Sequence, residues 1–316
     1  MSSPGASVVP EKLSRPGLLY AFGAYGLWGL FPLYFLMLEP ATPFEVVGYR
    51  ILFSLIFCTF LIAVTRKWKQ LFAIMAQRKL MLTLGVAAVL IYINWQVFII
   101  AVLSNQIVES SLGYFINPIV TVVLGVLVLR EKLRPLQWVA VGISFVAVMV
   151  LTVSYGTIPW ISLTLAASFG LYGLIKKRTG GAVDAISGLT IETIWMTPVA
   201  IIQLIIVSNV VGLTFFGYGI PHTLLLASAG IVTAVPLIMF GAGARRLPLT
   251  AIGLIQYSTP VFSFCMAVFV LHEPMPPVRW VGFFIIWVAL IVLTTDMLRN
   301  GKANRLARAA EELTIE

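Results

Sequence analysis

Ten windows of about twenty apolar residues, each the length needed to cross a hydrocarbon core of roughly 30 Å, recur along this 316-residue chain. They fall at about 18–38, 46–65, 79–100, 109–129, 136–153, 159–175, 185–207, 222–242, 250–271 and 278–296. Gly, Pro and clusters of one to three charges separate them. Only 10% of residues are charged, against about 25% in soluble domains. The expected fold class is therefore an all-α membrane protein with ten transmembrane helices. Its connections are short, which leaves no room for a separate soluble domain.

The polar stretch MSSPGASVVPEKLSRPG precedes a full-length apolar window without an A-x-A-like cleavage site. It reads as a disordered cytoplasmic tail over 1–16 rather than a signal peptide. Cys58 and Cys265 lie inside apolar windows, and His222 and His272 stand at loop edges. That spacing suits neither a disulfide framework nor a metal site, and no cofactor is expected. The net charge of +9 reports topology. Nineteen of the 21 Lys and Arg fall in alternate loops and the tails: Lys12 and Arg15, the cluster over 66–79, Arg130 to Arg134, Lys176 to Arg178, Arg245 and Arg246, and the C-terminal tail. The positive-inside rule makes that side cytoplasmic, with both termini on it. The excess then matches attraction to anionic lipid headgroups rather than nucleic-acid binding.

Sliding the chain against itself by 142 residues superposes 112–152 on 254–294 with 15 of 41 positions identical, Pro118/Pro260, Glu131/Glu273, Pro135/Pro277 and Trp138/Trp280 among them. At offset 144, YGLWGL (25–30) matches FGLYGL (169–174). Two five-span repeats follow, 17–153 and 154–297, with a basic cytoplasmic tail over 298–316. Because five is odd, the second repeat enters the membrane inverted. The basic corner REKLRP accordingly becomes HEPMPP in the other copy, keeping the Glu and the proline and losing the three basic residues. Inverted repeats are the construction of many secondary transporters, in which two similar halves expose a midplane site to either side in turn.

Unsatisfied polar groups are costly in hydrocarbon and should face the bundle interior. In ESSLGYFINP, Ser110, Tyr114 and Asn117 follow an i, i+4, i+7 stripe, with Glu109 or Ser111 at its mouth. They form either a cavity wall or hydrogen bonds that hold helices together; Asn117 before Pro118 could also satisfy carbonyls that the proline loosens. The inverted copy places Gln256, Tyr257 and Thr259 at a related depth. Glu109 aligns with Ala251, so it is one unsymmetrical carboxylate, for a proton, for a cationic substrate or merely hydrated at the interface. Arg50 and Glu192 align at offset 142 but fall toward opposite faces, which favours separate gating or substrate roles over a direct pair, with local packing as the alternative. Asn94, Trp95 and Gln96, with Trp28 and Tyr172 of the repeated G-L-aromatic-G-L motif, complete the candidate cavity, the aromatics being equally explicable as packing or interfacial belts.

The chain carries no H-E-x-x-H, no G-x-S-x-G, no paired Asp-rich loop and no phosphate-binding Gly loop. It also lacks the charged ring or carbonyl filter of a channel. An enzyme is not expected. NW (94–95), AV (101–102), ESSLGYFINPIVTVVLGVLVLREKLRPLQW and TPVFSFCMAVFVLHEP resemble the RarD group of the bacterial drug/metabolite transporter superfamily, whose members carry two EamA domains. The resemblance spans about 17–297. It implies a ten-helix inner-membrane permease with a central cavity for a small organic metabolite or drug-like solute. Proton coupling through Glu109 or Glu192 is a further expectation, and facilitated diffusion an alternative to it. A membrane scaffold or regulatory subunit that moves nothing is the reading from another class. Substrate, direction and oligomeric state are not encoded legibly.

Overall fold

The computed structural model describes residues 15–129, 135–155, 158–179, 182–244 and 255–315. Residues 1–14, the corner carrying Arg130, Glu131, Lys132 and Arg134, and the stretch with Arg245, Arg246 and Ala251 lie outside them. The described residues form twelve helices and one π-helical turn, with no strand among them. The helices are α1 (Arg15–Gly29), α2 (Phe31–Leu36), α3 (Pro43–Val64), α4 (Trp68–Met75), α5 (Arg78–Leu103), α6 (Ile107–Leu129), α7 (Pro135–Tyr155), α8 (Trp160–Thr179), α9 (Ala185–Val210), α10 (Gly219–Ala244), α11 (Ser258–Cys265) and α12 (Pro277–Ile315). Among the described residues, 7 helices are long and apolar enough to cross a membrane, α1 and α2 counting as one span of 22 residues.

Local chemistry sets the boundaries. Thr42 caps α3, its hydroxyl accepting the Glu45 N–H at 3.2 Å with Pro43 at the first helical position. Asp184 caps α9 by accepting from the Ser187 N–H at 3.4 Å. The first apolar window is broken at Leu30, because Pro32 has no N–H to bond back to Trp28 and restarts the helix as α2. After α11 the chain widens into a π-turn over Met266–Val270, closed by Leu271 N–H on the Met266 carbonyl at 2.9 Å. The basic loop predicted between the second and third windows contains the short helix α4, which packs Leu71 and Ile74 inward. The predicted basic tail continues α12 as helix to Ile315.

The bundle is apolar outside and polar at selected points within. Ile56, Phe60, Phe145, Ile205, Ile206 and Ile291 are each more than half exposed, whereas Glu45, Arg50, Asn94 and Glu192 are buried. In water that distribution would be untenable; against lipid tails it is expected. The closest helix pairs are α6 with α8, α7 with α12, α3 with α9 and α10, α1 with α10 and α11, α5 with α8 and α9, and α6 with α11. Rings of Phe115, Phe264, Phe283 and Trp287 lock α6, α11 and α12 together.

Candidate functional site

Arg50 sits two turns inside α3, about 10 Å from its start at 1.5 Å per residue, and is only 3% exposed. Its guanidinium carbon lies 4.1 Å from the Trp95 ring centroid, 5.3 Å from that of Phe35 and 5.6 Å from that of Phe31. These faces attract a cation through the ring quadrupole. Nε donates to Thr233 Oγ1 on α10 at 3.0 Å. The Thr233 hydroxyl is turned that way because its own proton goes to the Ala229 carbonyl at 2.8 Å, leaving a lone pair for the arginine. Nη1 has no hydrogen-bond partner among the described residues. None of the three described ion pairs involves Arg50, whose charge is felt instead by Tyr34 and Tyr114.

Beside it, Asn94 ties three helices. Its amide donates to the Leu165 carbonyl at 3.2 Å and to Ser168 Oγ at 3.1 Å, and its oxygen accepts the Tyr114 hydroxyl at 3.2 Å. Asn117 donates across to the Ala166 carbonyl at 3.2 Å. Such contacts need close backbones, and Gly113 permits them: a Cβ there would stand 2.8 Å from the Ser162 carbonyl oxygen on α8. Gln96 accepts from Gln203 Nε2 at 3.2 Å while its own amide nitrogen is unpartnered among the described residues. Gln203 also donates to the Phe44 carbonyl and accepts from Tyr92.

Glu192, fully buried on α9, forms a separate cluster. Oε1 receives Lys176 Nζ at 2.7 Å and Oε2 the Tyr172 hydroxyl at 3.1 Å. Arg50 and Glu192 thus have separate environments, each on its own set of helices.

At the bundle face formed by the N-termini of α6 and α8, a cleft of about 230 Å³ is lined by Gln106, Glu109, Trp160, Arg279 and Phe283, among others. The Glu109 carboxylate lies close to the backbone N–H groups of Ile161 and Ser162 at the start of α8, while its Oε1 is unpartnered among the described residues. Glu273 does the same for α6, both oxygens accepting the Val108 N–H at 3.1 and 3.2 Å. Burial pushes the Glu273 carboxyl above its ordinary range, an effect that Val108 and the Arg279 guanidinium only partly offset. Both acids lie at positive helix ends, where a carboxylate is favoured.

The remaining sequence candidates are more dispersed. Ser110 and Ser111 are fully buried and return their hydroxyls to the Ile107 carbonyl of their own helix at 2.8 and 2.9 Å. Trp28 packs with Tyr25 and Phe240. Thr259 donates to the Tyr25 carbonyl on α1 at 2.7 Å, Tyr257 lies beside Thr294 on α12, and half-buried Gln256 occupies the turn into α11. The structure therefore brings Arg50, Trp95, Asn94 and Tyr114 together, and joins the second-repeat polar groups to other neighbours. Glu45 is a buried acid the sequence reading missed. Its Oε1 accepts from Thr214 N–H at 2.7 Å, Thr214 Oγ1 at 3.0 Å and Phe215 N–H at 3.1 Å. The stretch TPFE (42–45) has the T-x-x-E spacing of a capping box, which was the available signal.

Comparison with known proteins adds an independent line. The family model described as EamA-like transporter family matches residues 15–153. Protein RarD of Streptomyces exfoliatus is 45% identical over 306 residues, 96% of each chain. Protein RarD of Escherichia coli (strain K12) is 39% identical over 287 residues, 91% of this chain and 96% of that one. An uncharacterized transporter of Bacillus subtilis, YojE, is 39% identical over 295 residues, 92% and 98% of the two chains. One solved crystal structure superposes with a TM-score of 0.60 at 16% identity, covering 91% of this chain and 100% of its own; that likeness concerns the fold alone.

Proposed function

The chain belongs to the RarD group of the EamA transporter superfamily, and from that premise we propose that it is a secondary transporter moving a small organic solute across a bacterial inner membrane by alternating access. In this reading α1 with α2, then α3, α5, α6 and α7, are spans one to five. The inverted second repeat comprises α8, α9, α10, α11 with its π-turn, and α12. Both termini are cytoplasmic.

The observation that carries the proposal is how the helices pair. Exchange each span with its counterpart five further on, and α1 on α10 becomes α8 on α5, α1 on α11 becomes α8 on α6, and α3 on α10 becomes α9 on α5; α3 on α9, α6 on α11 and α7 on α12 map onto themselves. All of these are among the close pairs of the bundle. Such two-fold pairing supports two interchangeable halves, the geometry that alternating access requires. The seam between them holds the buried Arg50, with its Thr233 partner contributed by the opposite half.

Purified protein in proteoliposomes should accumulate or release a solute first identified by thermal-shift screening of metabolites and antibiotics, since a ligand that binds only the folded form raises stability. Flux indistinguishable from protein-free vesicles for every stabilising ligand contradicts the proposal. Proton coupling is part of it: Glu109→Gln or Glu192→Gln should weaken flux driven by a pH gradient, and unchanged flux in both removes the proton from the mechanism.

A further inference from the structure

Among the described residues, Arg50 is a buried cation with no ion-pair partner. Its charge is enclosed by Trp95, Phe35 and Phe31, one nitrogen is held by Thr233, and Nη1 is unpartnered among the described residues. Two other buried charges of the bundle are satisfied differently: Glu192 has a lysine and a tyrosine, and Glu273 a helix end and an arginine. Ring faces recover only part of the hydration that a guanidinium loses on burial. A fixed, planar fork with a free N–H is also the geometry that binds a carboxylate or phosphate oxygen most strongly.

A second feature adjoins it. An apolar groove of about 320 Å³ runs between the α1–α2 break and α10, lined by Leu27, Leu30, Val232 and Pro236 together with Phe31 and Tyr34. Phe31 is at once a wall of this groove and a face of the arginine box.

We infer that the solute is an amphipathic organic anion, whose carboxylate-type head meets Nη1 of Arg50 while its apolar body lies along the groove past Phe31. The inference rests on the transporter reading and names the substrate class for it. Arg50 is then retained against its cost to stability because the solute supplies the missing counter-charge.

The test uses full-length protein in phosphatidylcholine nanodiscs, with benzoate as probe and benzamide as its neutral isostere. Benzoate should raise the unfolding temperature and benzamide should not. Arg50→Lys, which keeps charge but not the fork, should weaken the benzoate effect at least about tenfold, and Arg50→Met should abolish it. The ligand-free Arg50→Met protein should be as stable as wild type or more so, which a purely structural arginine would not allow. Val235 also lines the groove, and Val235→Trp, which fills it, should diminish the benzoate effect. No benzoate effect in wild type, an equal effect of benzamide, or an effect surviving Arg50→Met overturns the inference. Loss of the benzoate effect in phosphatidylglycerol nanodiscs overturns it as well, assigning the arginine to a lipid phosphate. Flux measurements separate the two claims. Arg50-dependent benzoate binding without flux of any solute leaves the anion site standing and defeats transport, whereas flux of a neutral or cationic solute untouched by Arg50→Met does the reverse.

Discussion

Replacing Lys176 with Met tests how the buried Glu192 carboxylate is held. The ammonium is 2.7 Å from Oε1, and the two side chains are unequally placed, Lys176 being 30% exposed and Glu192 0%. Removing the lysine leaves a fully buried carboxylate with one remaining donor, the Tyr172 hydroxyl at 3.1 Å. Breaking a buried pair from one side costs about 3–5 kcal/mol; with Tyr172 still in place, about 3 kcal/mol is expected. Removing the acid is cheaper. Glu192→Gln leaves an ammonium that water already reaches and an amide oxygen that can still accept, so about 1 kcal/mol is expected. The double variant Lys176→Met with Glu192→Gln leaves no buried charge and should lie within about 1 kcal/mol of wild type. A coupling of at least about 2 kcal/mol follows from the cycle. Reversible denaturant titration in detergent micelles, read by tryptophan fluorescence, measures all four proteins. Additive single effects, or a Glu192→Gln variant weaker than Lys176→Met, would refute the reasoning.

Three other outcomes are expected. A Cβ at Gly230 would stand 2.2 Å from the Phe53 carbonyl oxygen of α3, roughly 1 Å short of a normal carbon–oxygen contact; Gly230→Ala should therefore cost about 1–3 kcal/mol, shift Thr233 away from Arg50, and be scored as wrong if unfolding is unchanged. Burial pushes the Asp184 carboxyl up, but Ser187 and Lys67 together outweigh it and hold it below its ordinary range. A depressed folded value means stability present above the unfolded pKa of about 3.9 and lost as pH falls through the folded one, so Asp184→Ala should cost about 1 kcal/mol at neutral pH and lose that acid-side dependence; parallel pH profiles would count against it. Glu273 has the opposite sign: its folded value is raised, so its contribution is complete below the unfolded value of about 4.3 and is lost as pH rises through the folded one. Glu273→Gln should gain on wild type as pH rises above that unfolded value, and a constant difference between the two proteins would exclude this.

Much of the helix layout was legible because it depends on local properties. The window at 46–65 falls on Pro43–Val64, that at 79–100 on Arg78–Leu103 and that at 185–207 on Ala185–Val210, since runs of apolar residues bounded by caps and prolines need no tertiary information. Interruptions were harder to read. The break at Leu30 and the π-turn at Met266 lie inside continuous apolar runs, where periodicity does not change. The charges around α4 satisfy the topology argument without a helix, and its two inward residues, Leu71 and Ile74, are too few to signal a span. Among site residues, the stripe of Ser110, Tyr114 and Asn117 marked an inward face, yet only Tyr114 reaches the arginine neighbourhood. A small hydroxyl such as that of Ser110 can return to its own helix carbonyl, and spacing cannot distinguish that from a cavity wall.

What the sequence alone determined is that this chain lives in a membrane as apolar helices, and that it carries the residues of the RarD group; both depend on the order of residues along the backbone. Only the tertiary structure decided which buried polar groups are neutralised and which are not. Arg50 finds Thr233 across 183 positions, and Glu45 finds Thr214 across 169. Such partners are chosen by how helices pack, because in a low-dielectric interior a charge is satisfied by whatever donor or acceptor geometry brings within reach.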